Sequence, residues 1–220
     1  MTEPARDRVV RGLRSQFESL HGKRSAGEEL VGWKVGLNAA PVQEELGISR
    51  PVLGHLTTGS LIEPGAAHPT AGGVHLGVEP EVAIHLGASG TIEALGPAIE
   101  VVDLDPATTE LEAILAGNVF HRGVVLGPPV AGLRPSELAT VTASVTKNGV
   151  LAERARFADT GEEPAEAIAL IAERLALAGE ELRAGQVIIA GSLTPIVFVE
   201  PGDSIEVDLG SLGALALSLV

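Results

Sequence analysis

Glu79-Pro80-Glu81 is the string whose residue types and spacing most directly suggest chemistry. It sits in a strand-like run over residues 78–86, where side chains alternate with a period of two, so both carboxylates project from one face. Their α-carbons are expected roughly 6.5 to 7 Å apart, close enough for both groups to bend onto one oxygen-seeking cation. A third acid, Glu100, stands in Pro97-Ala-Ile-Glu-Val-Val-Asp103 between apolar neighbours, and a charge in such a run needs compensation. A second reading of the pair is open. Glu79 and Glu81 face solvent on an edge strand while Val82, Ile84 and Leu86 face the core, and Pro80, a residue normally confined to edges, strand starts or bulges, favours that arrangement. Glu100 favours the metal, because no simple alternation exposes it while burying its neighbours on both sides. Carboxylate ligands in a chain without cysteine imply Mg²⁺ or Mn²⁺.

Lys34 is one of three lysines and lies between Trp33 and Val35 in a short β-prone run over residues 30–37. It reads either as a lysine snorkelling from a strand edge or as a cation placed to meet a substrate carboxylate or enolate, or to donate a proton. Gly32 and Gly36 in the same run mark places where backbone approaches closely. Ser192 and Thr194 follow the apolar run 187–190, at a strand end where hydroxyls and backbone amides suit carboxylate binding, or form a plain polar turn. His85 shares the face of Glu79 and Glu81 by alternation, but a lone histidine reads as structural. His21, His55, His68, His75 and His121 show no spacing that suggests a metal site or a triad.

These residues must be positioned by a fold with many strands. Gly and Pro, at 27 and 14 residues, punctuate short β-prone segments through most of the chain. Apolar spacing of three and four predicts helices over residues 4–20 and 164–178, with a short helix over 42–46. Residues 140–146 and 150–157 alternate around Asn148-Gly149, a pair that tolerates positive φ, which predicts a two-residue hairpin. The run 214–220 suits either an interface or a closing strand. Strands bracketed by helices, without regular βαβ alternation, predict an α+β fold with a curled mixed sheet.

Composition excludes other classes. With 220 residues, 45% of them apolar and 20% charged, the chain is long and apolar enough to own a core. Fifteen Lys and Arg against 29 Asp and Glu leave a formal charge of -14, which repels phosphate backbones, so no nucleic acid partner is expected. The absence of cysteine removes disulfides, thiolate nucleophiles and zinc-thiolate sites. Arg6, Arg8, Arg11 and Arg14 are followed by no uninterrupted apolar stretch, so no secretory signal or membrane span is readable and a cytoplasmic protein is expected.

Taken in order, Val31-Gly-Trp-Lys-Val-Gly-Leu37, Val78-Glu-Pro-Glu-Val-Ala83, Pro97-Ala-Ile-Glu-Val-Val102, Ala190-Gly-Ser-Leu-Thr-Pro195 and Pro201-Gly-Asp203 resemble the 2-keto-4-pentenoate hydratases of the fumarylacetoacetate hydrolase superfamily. The resemblance implies a curled β-roll of the C-terminal type of that superfamily over residues 30–220, preceded by a helical segment over 1–29. It implies Glu79, Glu81 and Glu100 as ligands of Mg²⁺ or Mn²⁺, Lys34 as a catalytic cation, and Ser192 and Thr194 as substrate-binding groups. The implied substrate is a small 2-oxo acid from aromatic catabolism: a 2-hydroxy-2,4-dienoate whose oxo tautomer takes up water at carbon 4, beside a metal that polarises the 2-oxo group. A homo-oligomer is implied as well.

The chain departs from the relatives in several places. Gly117 stands before Asn118 where they carry aspartate, Thr57-Thr58 where they carry acids, and Gly161-Glu-Glu-Pro164 where they carry Gly-His-Pro. The connector between Glu81 and Glu100 is short, which leaves Asp103 and Asp105 as substitutes for the third ligand. Two other outcomes follow from the same site or its decay: decarboxylation of a 2-oxo-3-hexenedioate or hydrolysis of an acylpyruvate, and a catalytically silent partner subunit.

Overall fold

The structure, a computed structural model, describes residues 3–105, 107–161 and 163–220. Its helices are α1 (Glu3–Ser25), α2 (Ala40–Leu46), α3 (Leu111–Ala116), α4 (Phe157–Thr160) and α5 (Pro164–Ala176). Its strands are β1 (Leu30–Gly36), β2 (Val52–Thr57), β3 (Leu61–Ile62), β4 (Ala67–His68), β5 (Leu76–Leu86), β6 (Ile92–Asp103), β7 (His121–Leu126), β8 (Thr142–Lys147), β9 (Val150–Arg156), β10 (Val187–Ser192), β11 (Val197–Phe198), β12 (Ser204–Asp208) and β13 (Ala214–Leu219).

An eight-stranded sheet runs β2-β1-β10-β5-β6-β7-β3, with β11 also pairing β5, and a five-stranded sheet runs β4-β13-β12-β8-β9. β1 pairs β10 and β3 pairs β7 in parallel, whereas the other contacts of the large sheet are antiparallel, so the sheet is mixed as expected. The parallel β1–β10 pairing brings backbone so close to Gly32 that a Cβ there would stand 1.9 Å from the Val187 carbonyl oxygen.

α1 adds Val9, Leu13, Phe17 and Leu20 to the main apolar cluster, where the Phe17 ring lies 5.8 Å from that of Trp33 on β1, and each such side chain contributes about 2 kcal/mol when removed from water. α5 starts at Pro164, which suits the first turn because its missing N–H is unpaired there anyway, and buries Ala167, Leu170, Ile171 and Leu175. The hairpin forms as predicted: Asn148 and Gly149 take φ of 53° and 77° between β8 and β9. Residues 214–219 form β13, which pairs β12 on one side and β4 on the other, so this apolar run closes a sheet. Among the described residues, no helix is long and apolar enough to cross a membrane.

The edge-strand reading of Glu79 and Glu81 fails. β5 lies in the interior of the large sheet, paired to β6 along its length and to β10 and β11 on its other side. Pro80 is tolerated because it faces the gap between β10, which ends with Ser192 paired to Glu81, and β11, which begins with Val197 paired to Val78, so no ladder donor is required of proline there.

Candidate metal and substrate site

The register of two neighbouring strands builds the site. β5 and β6 join through the short turn Ala88–Gly90, and Glu79 pairs directly with Glu100 while Glu81 pairs with Ala98. The short connector is therefore a tight hairpin. Paired and alternate residues share a face, which brings three carboxylates together: one oxygen from each of Glu79, Glu81 and Glu100 lies within 4.8 Å of the others. Glu81 and Glu100 are each 1% exposed. Asp103, the substitute considered for Glu100, instead accepts backbone N–H bonds from Val74, His75 and Asp105.

β10 carries one extra residue between Ile189 and Ser192, and this bulge serves Glu81. It frees the Gly191 N–H from the ladder to donate to Glu81 Oε2 at 2.7 Å, and Gly191 takes φ of 108°, a conformation that favours glycine. Ser192 Oγ lies within reach of both the Glu79 carboxyl and the Thr194 carbonyl, at 2.7 Å from the latter, and its one proton serves one of them at a time. The Thr194 hydroxyl donates to the Pro195 carbonyl at 2.9 Å.

Lys34 reaches the same face from β1. Its ammonium pairs with Glu100 and donates to the Val119 carbonyl at 3.0 Å. Room for its stem is made by Gly54 on β2, where a Cβ would stand 2.7 Å from Lys34 Cγ. The Val119 carbonyl is aimed by an unusual turn: Asn118, Val119 and Phe120 take φ of 59°, 54° and 63° in succession. A β-branched residue in that region is strained by about 1–3 kcal/mol. The turn is tied down by Asn118, whose side chain accepts from the His55 N–H at 2.7 Å and donates to the His55 carbonyl at 2.9 Å. Asn118 is thus a brace, with Gly117 beside it as the C-cap of α3.

His121, passed over in the sequence, touches Glu100: its Nδ1 is 2.7 Å from Oε1. The partners of β7 skip Arg122, and this bulge turns His121 towards Glu100. No spacing in the sequence marks it. His85 lies outside the site, packed near Gly96. Thr57 bonds Glu28, and neither lines the cavity.

Electrostatics divide the carboxylates. Burial, aided by the Glu100 charge, pushes Glu79 up to about 7, and burial with Glu100 and Glu79 pushes Glu81 well above the ordinary range. Burial acts on Glu100 too, but the Lys34 and His121 partners outweigh it and hold its pKa below the ordinary value. Three carboxylates face one ammonium, so full ionisation leaves a surplus of negative charge among these described groups. An all-oxygen set with surplus negative charge fits a hard dication such as Mg²⁺ or Mn²⁺.

The carboxylates and Lys34 form the floor of a cavity of about 1110 Å³. Its walls come from the β1–α2 loop, Val102, Leu104 and residues 107–109, the left-handed turn, residues 192–196, and β9 with α4 of the second sheet. Lys34, Ser192 and Thr194 all line it.

Residues 33–220 match the fumarylacetoacetate (FAA) hydrolase C-terminal family. The chain is 30% identical to the 2-oxo-hept-4-ene-1,7-dioate hydratase of Escherichia coli, over 93% of this chain and 84% of that one. It is 27% identical to a 4-oxalocrotonate decarboxylase of Pseudomonas putida, over 93% and 83%. Among solved structures, the 4-oxalocrotonate decarboxylase of Pseudomonas putida G7, complexed with magnesium and adipate, superposes with a TM-score of 0.88 at 25% identity, over 95% of this chain and 85% of that one.

Proposed function

The chain belongs to the FAA hydrolase family and is an enzyme, and on that premise we propose that it hydrates a 2-hydroxy-2,4-dienoate to a 4-hydroxy-2-oxo acid. The observation that carries this reading is the convergence of Glu79, Glu81 and Glu100 beside Lys34 on the floor of one cavity. Relatives named as hydratases support it, among them 2-keto-4-pentenoate hydratases at 28–30% identity.

In this reading Glu79, Glu81 and Glu100 hold Mg²⁺ or Mn²⁺, which supplies a Lewis acid for the carboxylate and 2-oxo oxygens of the substrate. Gly191 and His121 keep two of those carboxylates oriented through the hydrogen bonds already described. The dienoate ketonises by losing its 2-hydroxyl proton and gaining one at carbon 5, which leaves an alkene at carbons 3 and 4 conjugated to the 2-oxo group. Water then adds its oxygen at carbon 4 and a proton at carbon 3. The Lys34 ammonium offsets the enolate charge and moves a proton at Nζ, while Ser192 and Thr194 hold the substrate carboxylate. The apolar walls keep bulk water from the reacting carbons.

The likeness to the decarboxylase of known structure favours a second reading, decarboxylation of a 2-oxo-3-hexenedioate by the same enolate-stabilising floor. One assay separates them. With Mg²⁺ present, hydration consumes dienoate absorbance without releasing carbon dioxide or pyruvate. Carbon dioxide release from the hexenedioate moves the assignment to decarboxylation, and pyruvate release moves it to C–C hydrolysis. No turnover and no Mg²⁺ uptake by calorimetry would mark a silent subunit.

A further inference from the structure

We infer that the left-handed turn Asn118–Phe120 is a positioning device for the Lys34 ammonium, with Asn118 as the residue that holds it. The inference rests on the reading in which Lys34 moves a proton, and it names what sets the place of that ammonium.

Lys34 needs fixed points, because its charge rides on a flexible four-carbon stem. Glu100 is one point, and the Val119 carbonyl, 3.0 Å from Nζ, is the other. The two differ in kind. A carboxylate can take up the proton that Lys34 moves, whereas a peptide carbonyl accepts a hydrogen bond without acting as a base, so Val119 orients Nζ and leaves its proton available.

Backbone strain aims that carbonyl. Val119 and Phe120 hold φ of 54° and 63°, a region that β-branched and bulky side chains rarely adopt, directly after Asn118 at 59°. Both line the cavity. Such conformations persist only where the surroundings over-determine them, and they gather at functional sites. The Asn118 and Phe120 carbonyls accept from the backbone N–H groups of His121 and Asp103, at 3.2 and 2.9 Å. The Asn118 and Val119 N–H groups donate to the α3 carbonyls of Leu115 and Ile114. Of the three carbonyls in the turn, that of Val119 is the one given to Lys34.

Two contacts hold this conformation from outside. The Asn118 amide bonds both backbone groups of His55, on the edge strand β2 that pairs with β1. The Val119 side chain sits against Gly36 of β1, where a Cβ would stand 2.6 Å from Val119 Cγ1. Lys34 and Gly36 are two residues apart on one face of β1, so the strand that carries the ammonium also carries the seat of its acceptor.

The test uses the Mg²⁺-loaded protein and 2-hydroxypenta-2,4-dienoate, well below the thermal midpoint of every variant. Asn118→Gly removes the amide yet leaves positive φ accessible. It is expected to lower kcat about tenfold or more, while KM, Mg²⁺ affinity and the affinity for unreactive 2-oxopentanoate, both by calorimetry, stay within about threefold. Gly36→Ala displaces the same turn from its other side and is expected to lower kcat similarly. Adding Val119→Ala should restore about fivefold or more of that loss, because the new methyl then meets Val119 Cβ at 3.5 Å in place of Cγ1. If Asn118→Gly fails to fold, the Gly36 pair decides. Unchanged kcat in folded Asn118→Gly, or a Gly36→Ala defect that Val119→Ala does not reverse, overturns the inference and leaves the reading of Lys34 standing. Turnover by Lys34→Met at the unmodified rate overturns that reading, and this inference with it.

Discussion

Lys34 and Glu100, 66 residues apart in the chain, form an ion pair whose side chains are only 3% and 1% exposed. Breaking a buried pair by removing one partner costs about 3–5 kcal/mol, because the remaining charge stays buried. Glu79 and Glu81 still stand near Lys34 when Glu100 is changed, so Glu100→Gln is expected to cost less, at least about 2 kcal/mol. Urea denaturation of the metal-free protein measures this, and an unchanged midpoint would show that the pair contributes nothing to the fold.

Crowding of buried carboxylates sets up an opposite expectation for Glu81. Without metal, Glu81→Gln relieves repulsion from Glu100 and Glu79 and is expected to raise the thermal midpoint. With metal, the ranking reverses. A ligand at 100 times its Kd stabilises a protein by about 2.7 kcal/mol, so MgCl₂ or MnCl₂ should raise the midpoint of the unmodified chain by several degrees and that of Glu81→Gln hardly at all. Equal shifts in both proteins would remove Glu81 from the ligand set.

His55 predicts an acid limit to stability. Burial, with the nearby charges of Lys23 and His121, lowers its pKa from 6.5 to about 3, and neither ring nitrogen has a hydrogen-bond partner among the described residues. Between those values the unfolded chain binds a proton that the folded chain refuses, so stability falls as pH drops from about 6.5 towards 3. His55→Phe should flatten this slope in unfolding measurements between pH 6.5 and 4.5. A slope as steep as that of the unmodified chain would assign the loss to other groups.

Gly54→Ala tests whether the position of the Lys34 ammonium matters to turnover. The added Cβ would meet Lys34 Cγ at 2.7 Å and Cδ at 2.9 Å, which forces the stem to shift. Turnover is expected to fall at least tenfold, while Mg²⁺ affinity by calorimetry, set by the carboxylates, changes little. Unchanged turnover would argue against a role for Lys34 in proton movement.

Much of the arrangement was legible where the physics is local. Asn148-Gly149 tolerates positive φ wherever it occurs, and the hairpin around it formed as expected. Pro164 and the apolar spacing after it marked α5, although the helix ends at Ala176 and leaves Ala178 outside it. Pro80 misled, because the gap between β10 and β11 that accommodates it belongs to segments more than a hundred residues away. His121 gave no signal for a related reason: only a bulge in β7 turns it to Glu100.

The alternation of β5 by itself determined that Glu79 and Glu81 share a face, since a period of two is a property of any extended backbone. The lack of cysteine likewise removed thiolate ligands and left oxygen and imidazole as the candidate metal donors. Only the tertiary structure decided that Glu100 pairs with Glu79, that Lys34 arrives from β1 and that the Val119 carbonyl meets it there. Strand register and sheet packing depend on contacts between segments far apart in the chain, and no local spacing encodes which of those contacts form.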